Sequence, residues 1–113
     1  MLRQAMKELT MNDQVVVVGS IRAGKRAELE KLLAAGPPFD LAQSGFTKHY
    51  AFIGERTVVF VFEGAEARAH LQDLSKRIPM RELARMGMLV HHPELLTERV
   101  SWTPAIDGAG AHA

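Results

Sequence analysis

The residues best able to do chemistry in this chain are five histidines: His49, His70, His91, His92 and His112. Imidazole exchanges protons near neutral pH, so a His lining a closed cavity is a candidate base, acid or ligand-orienting group. His49 is followed by Tyr50 in a β-rich stretch, and neighbours on a strand face opposite ways. One of the two therefore looks toward the helices and the other toward the far side of the sheet. The plain alternative for His49 is a half-buried ring satisfied by a backbone group. His70 stands mid-helix between Ala67 and Leu74, near the inner edge, where it caps a pocket or sits on a rim. His91 and His92 are adjacent. On a strand they would face opposite ways and could not share a metal ion, whereas on a loop they could. No H-x-x-x-H or H-x-H spacing occurs. A metal centre would have to be gathered by the fold from His49, Glu63, His70 or His91. No metal or other cofactor is expected.

Gly19-Ser20-Ile21-Arg22-Ala23-Gly24-Lys25-Arg26 comes within one residue of the phosphate-binding G-x-x-x-x-G-K-[ST] loop. Position 26 is Arg, and the motif needs a hydroxyl there to hold magnesium. A turn glycine followed by basic first-turn residues accounts for the same string. Serine nucleophiles have no G-x-S-x-G context. Trp102, the only Trp, alternates with Val100 and is expected to pack inward, as core or as a wall that stacks on a ligand. Met80, Met86 and Met88, with Arg81 and Arg85, mark a segment that reads as a pocket lid, a dimer contact or a solvated helix.

These residues need a scaffold. A strand is expected at 14–20, where Val15 to Val18 form an unbroken β-branched run. The spacing of Leu29, Leu32 and Leu33 predicts a helix over 23–35, ended by Gly36-Pro37-Pro38. Strands at 46–53 and 57–63 are joined by the short turn Gly54-Glu55-Arg56, which demands an antiparallel hairpin. Helices follow at 65–78 and 81–90, and a last strand at 96–103. The order β-α-β-β-α-(α)-β is the ferredoxin-like arrangement: an α+β fold with a four-stranded antiparallel sheet and helices on one face.

Both sheet faces read as apolar. Val58, Phe60 and Phe62 alternate with Val59 and Val61, and exposing such a face is something lone chains avoid. A second copy's sheet is the expected cover. Residues 1–13 are read as an N-terminal extension, in which Leu2, Met6 and Leu9 have near-helical spacing. The domain spans 14–103, and 104–113 is a Gly- and Ala-rich tail.

Composition bounds the function. Apolar residues make up 47% and charged residues 24%, and 14 Lys and Arg face 13 Asp and Glu. A net charge of +1 gives no electrostatic claim on nucleic acid or anionic lipid. The absence of Cys excludes disulfides and thiolate chemistry. No apolar run approaches the ~20 residues of a membrane span, and the first 13 residues lack the apolar core of a secretory signal. The expected setting is the cytoplasm, with neither nucleic acid nor membrane as partner.

Three stretches carry a family likeness. Gly24-Lys25-Arg26-Ala27-Glu28-Leu29 follows the valine strand, Ser44-Gly45-Phe46 precedes the second strand, and Phe60-Val61-Phe62-Glu63-Gly64 runs into Glu66-Ala67-Arg68-Ala69-His70-Leu71. Over residues 14–75 the chain resembles the antibiotic-biosynthesis-monooxygenase-like proteins of the dimeric α+β barrel superfamily. The resemblance implies two sheets paired face to face, each subunit holding a pocket between sheet and helices. It implies activities such as cofactor-independent oxygenation of aromatic compounds, isomerisation or haem degradation. The Trp that the family places at the end of its third strand is Phe62 here, and only His70 carries over by position. The expectation is a homodimer binding a small apolar or aromatic molecule. His49 or His70 is the proton-transfer group, and Tyr50, Phe60, Phe62 and Trp102 shape the wall. The competing readings are a non-catalytic regulatory or stress-related dimer, and a haem protein with His70 or His91 as axial ligand.

Overall fold

A computed structural model describes residues 12–104. The expected N-terminal turns around Leu2, Met6 and Leu9, the tail beyond Pro104 and His112 lie outside the described residues. The elements in order are β1 (Asn12–Ile21), α1 (Arg26–Ala34), a 3-10 turn (Leu41–Gln43), β2 (Lys48–Ile53), β3 (Thr57–Ala65), α2 (Ala67–Arg77), α3 (Met80–Leu89) and β4 (Val90–Leu96). The strands form one antiparallel sheet in the order β2-β3-β1-β4. This is an α+β fold compatible with the ferredoxin-like arrangement.

Register explains the layering. Val15 pairs with Phe62, Val17 with Phe60 and Gly19 with Val58 across β1 and β3. Paired residues share a face, so these side chains form one apolar floor. All three helices lie on that floor. Ala67 and Leu74 of α2 pack with Val15, Phe46 and Phe62. Leu29 of α1 and Leu89 of α3 pack with Ile21, Val58 and Val90. Phe60 touches both groups and joins them. Complete burial of Leu29 contributes about 2 kcal/mol relative to exposure.

Chain breaks fall where backbone chemistry puts them. Gly36, at φ +99°, closes α1 by a bond from its N–H to the Leu33 carbonyl. Pro79 keeps the preceding Ile78 extended and so ends α2. Gly24, at φ +74°, makes the turn between β1 and α1. The basic residues of that phosphate-loop-like string are engaged locally. Lys25 pairs with Glu28, Arg26 with Glu30, and the Arg22 Nε–H donates to the Gly87 carbonyl.

Four expectations need correction. The last strand is Val90–Leu96, not 96–103, and residues 97–104 form no strand. Trp102 is therefore on no strand and is 84% exposed instead of packing inward. The register shows the difference: β1 pairs with Val90, His91, Glu94, Leu95 and Leu96, and the ladder ends there, short of Val100 and Trp102. His91 and His92 do sit on a strand, yet they do not face opposite ways. A bulge opposite Val18–Ser20, with His92 at φ +54°, breaks the alternation and brings the two rings to 4.4 Å. Finally, Phe46 precedes β2 and does not follow its pleat. Gly45 at φ +92° turns the chain, the strand begins at Lys48 and not at 46, and Phe46 joins the helix-side core.

The opposite sheet face carries Val16 and Val18 of β1, Tyr50 and Phe52 of β2, Val59, Val61 and Glu63 of β3, and Leu96 of β4. Among the described residues no helix lies over it. Phe52 is 62% exposed there.

Candidate functional site

Three rings converge beside His49. The β2–β3 register sets His49 opposite Phe62, and the two rings stack at 4.2 Å with only 12° between their planes. Phe39, from the loop before the 3-10 turn, lies 5.6 Å from the imidazole at a 41° tilt. Phe46 closes the group, 5.0 Å from Phe62 and 6.4 Å from Phe39.

The imidazole is fixed by one further contact. Its Nδ1 lies 2.9 Å from the Val61 carbonyl oxygen. A carbonyl only accepts, so Nδ1 carries the proton and donates, leaving Nε2 as an unprotonated acceptor. Burial pulls the His49 pKa below its ordinary 6.5, and the Val61 bond opposes that only in part. The ring is therefore neutral at pH 7, with a defined tautomer and a basic nitrogen.

His70 has a different setting. Its ring lies over Gly45, where an added Cβ would come within 2.6 Å of the imidazole atoms. Its edge meets Phe46 at 6.1 Å and 76°. His49 thus rests on Phe62 and His70 on Phe46, and those two phenyl rings touch.

The expected wall is split. Phe60 and Phe62 share the side of His49, whereas Tyr50 lies on the opposite face, as strand alternation requires. There the Tyr50 hydroxyl donates to Glu63 Oε2 at 2.7 Å, and Gln14 Nε2 donates to the same oxygen at 2.8 Å. Lys48 Nζ sits 5.2 Å above the Tyr50 ring, and Arg99 reaches Gln14 Oε1 at 3.5 Å. The Tyr50 and Gln14 donors hold the Glu63 carboxyl below its ordinary pKa of 4.5, helped by Lys48 and Arg99. Glu63 in turn raises the Tyr50 pKa above 10.0. Trp102 stands apart from both groups.

Sequence reasoning missed Phe39 and Gln14. Phe39 had one signal, an aromatic directly after Pro37-Pro38 in a loop that must pack down somewhere. Gln14 had none, because its role depends on the register that places it beside Glu63. Met86 points into the core, whereas Met80 and Met88 are exposed. A groove of about 440 Å³ opens elsewhere, beside Asp13, Gln14, Glu66, Arg68, Gln72 and Thr97, and holds none of the expected catalytic or wall residues. Among the described residues, no three His, Asp or Glu side chains stand close enough to hold a metal ion. Among the same residues, no helix is long and apolar enough to cross a membrane.

Comparison with family models, curated proteins and solved structures finds no match to this chain.

Proposed function

We propose that this chain forms a homodimer through its uncovered sheet face and binds a small apolar or aromatic molecule on the helix side, with His49 as the proton-transfer group. One observation carries the reading: the His49 ring is pinned by Phe62 and by the Val61 carbonyl, and its Nε2 is left as a neutral acceptor. A positioned neutral imidazole in an aromatic surround is suited to taking a proton from a hydroxyl or an activated carbon. That proton removal is the first step of an isomerisation and of cofactor-independent oxygenation of an aromatic ring, the chemistry implied by the family resemblance. His70 is the weaker candidate, because its ring is packed against Gly45.

The dimer is supported by the face of Val16, Val18, Phe52, Val59 and Leu96. Its apolar side chains are left without a helix, as a sheet-to-sheet contact would require. Native mass spectrometry tests both parts together. The expected result is a species of about 25 kDa, twice the 12.5 kDa chain mass, with added ligand mass that is lost in His49→Ala. A bare single chain at micromolar concentration would overturn the dimer. Equal retention of ligand by His49→Ala would overturn the role of His49.

A further inference from the structure

Two members of the ring group around His49, Phe39 and Phe46, belong to neither the sheet nor a helix. Phe39 comes from the loop between Gly36 and Gly45, both of which have positive φ, at +99° and +92°. Between these glycines, Pro37, Pro38, Asp40, Leu41, Ala42 and Gln43 are all exposed. Phe39 is half-buried and is the loop's contact with the ring group, through His49 and Phe46. The loop is attached unevenly. Its far end is tied down by buried Ser44, whose Oγ donates to the Leu41 carbonyl at 2.7 Å and accepts from the Phe46 N–H at 3.1 Å. His70 sits on the neighbouring Gly45. Its near end is Gly36, around which there is open space. Pro37 and Pro38 stiffen the segment between Gly36 and Phe39.

We infer that Phe39 is a gate whose phenyl ring keeps the place of a ligand's aromatic ring, and that the ligand is a phenol-type aromatic whose hydroxyl donates to Nε2 of His49. This rests on the reading of His49 given above and adds the ligand class and the route of entry. The stacking surfaces of His49, Phe62 and Phe46 suit a flat ring, and Nε2 is an acceptor, which a hydroxyl satisfies and a plain hydrocarbon does not. When Phe39 lifts about Gly36, the slot it leaves has the dimensions of one phenyl ring. With Phe39 seated, a ligand must displace it, so apparent affinity is reduced by the fraction of time the slot is open.

The test is calorimetric titration of phenol and of toluene into the wild-type chain, Phe39→Ala, Phe39→Leu and Phe39→Ala/His49→Leu, with the imidazole nitrogen shifts of His49 followed in the proteins that retain it. Phe39→Ala is expected to bind phenol about tenfold more tightly than wild type, with a smaller gain for Phe39→Leu. Phenol should also be preferred to toluene, and that preference should vanish in Phe39→Ala/His49→Leu. Equal phenol affinity in wild type and both Phe39 variants overturns the gate and leaves the role of His49 standing. Toluene binding Phe39→Ala as well as phenol overturns the ligand class. Absence of binding by every variant overturns the gate and the ligand reading together.

Discussion

His49 and Glu63 respond to acid in the same direction for different reasons. Burial lowers the folded pKa of His49 below 6.5, so the unfolded chain binds the proton more tightly. Stability therefore falls as pH drops through 6.5 toward the folded value and levels off below it. His49→Phe removes this titration, and urea unfolding at pH 7.5 and 5.5 should show a smaller pH difference than in wild type. Glu63 adds to acid loss at lower pH, because its folded pKa lies below 4.5 and its benefit disappears as that pKa is passed. The Tyr50 hydroxyl has the largest effect on this carboxyl, so Tyr50→Phe should raise the Glu63 pKa. Carbon-13 detection of the side-chain carboxyl reads this directly. An unchanged Glu63 titration would show that the 2.7 Å contact does not persist in solution.

At the scale of elements, the tightest constraint is the contact of the Gly45 turn with α2. Gly45 combines a positive φ with a His70 ring lying on it. Gly45→Ala should cost about 2–4 kcal/mol, from strain in the left-handed region and from overpacking. Adding His70→Ala should return the packing part and not the backbone part, so the double variant should be more stable than the sum of the singles predicts. A denaturant series on the four proteins reads the difference. Gly19 is constrained from the sheet side, since a Cβ there would clash with the Val90 side chain, and Gly19→Ala should destabilise by about 1–3 kcal/mol.

Elements with strong local patterns were legible in the sequence: the valine strand, the Leu29–Leu33 helix, the Gly54–Arg56 hairpin and the helix near 81–90. The last strand was misplaced because Val100 and Trp102 look more β-like than His91-His92-Pro93. Pairing with β1 overrode that preference. At the site, the opposite facing of His49 and Tyr50 followed from alternation alone. The Val61 bond and the arrival of Phe39 depend on chain segments brought together by folding, and no local pattern encodes them.

For the whole molecule, the uncovered face makes a quantitative demand. Its apolar side chains come from all four strands, so a sheet-to-sheet dimer would bury them in one contiguous area. Phe52, at 62% exposure, is the most prominent of them. Phe52→Lys should weaken the proposed dimer by about 2 kcal/mol or more, a fall of at least about thirtyfold in association measured by analytical ultracentrifugation. It should leave the helix-side ring group unchanged, because Phe52 and His49 lie on opposite faces. A variant that dimerises normally would move the interface to another surface.

The strand order also sets a schedule for folding on the ribosome. β1 leaves first, yet it stands between two late partners: β3, and then β4, whose Leu96 meets Val16. Until residue 96 has emerged, the run from Val15 to Val18 has an unpaired backbone edge. An apolar β-branched segment in that state is prone to joining other chains. The valines that specify the sheet are thus the segment exposed longest before it closes, and conditions that slow synthesis near the β4 codons should lower soluble yield.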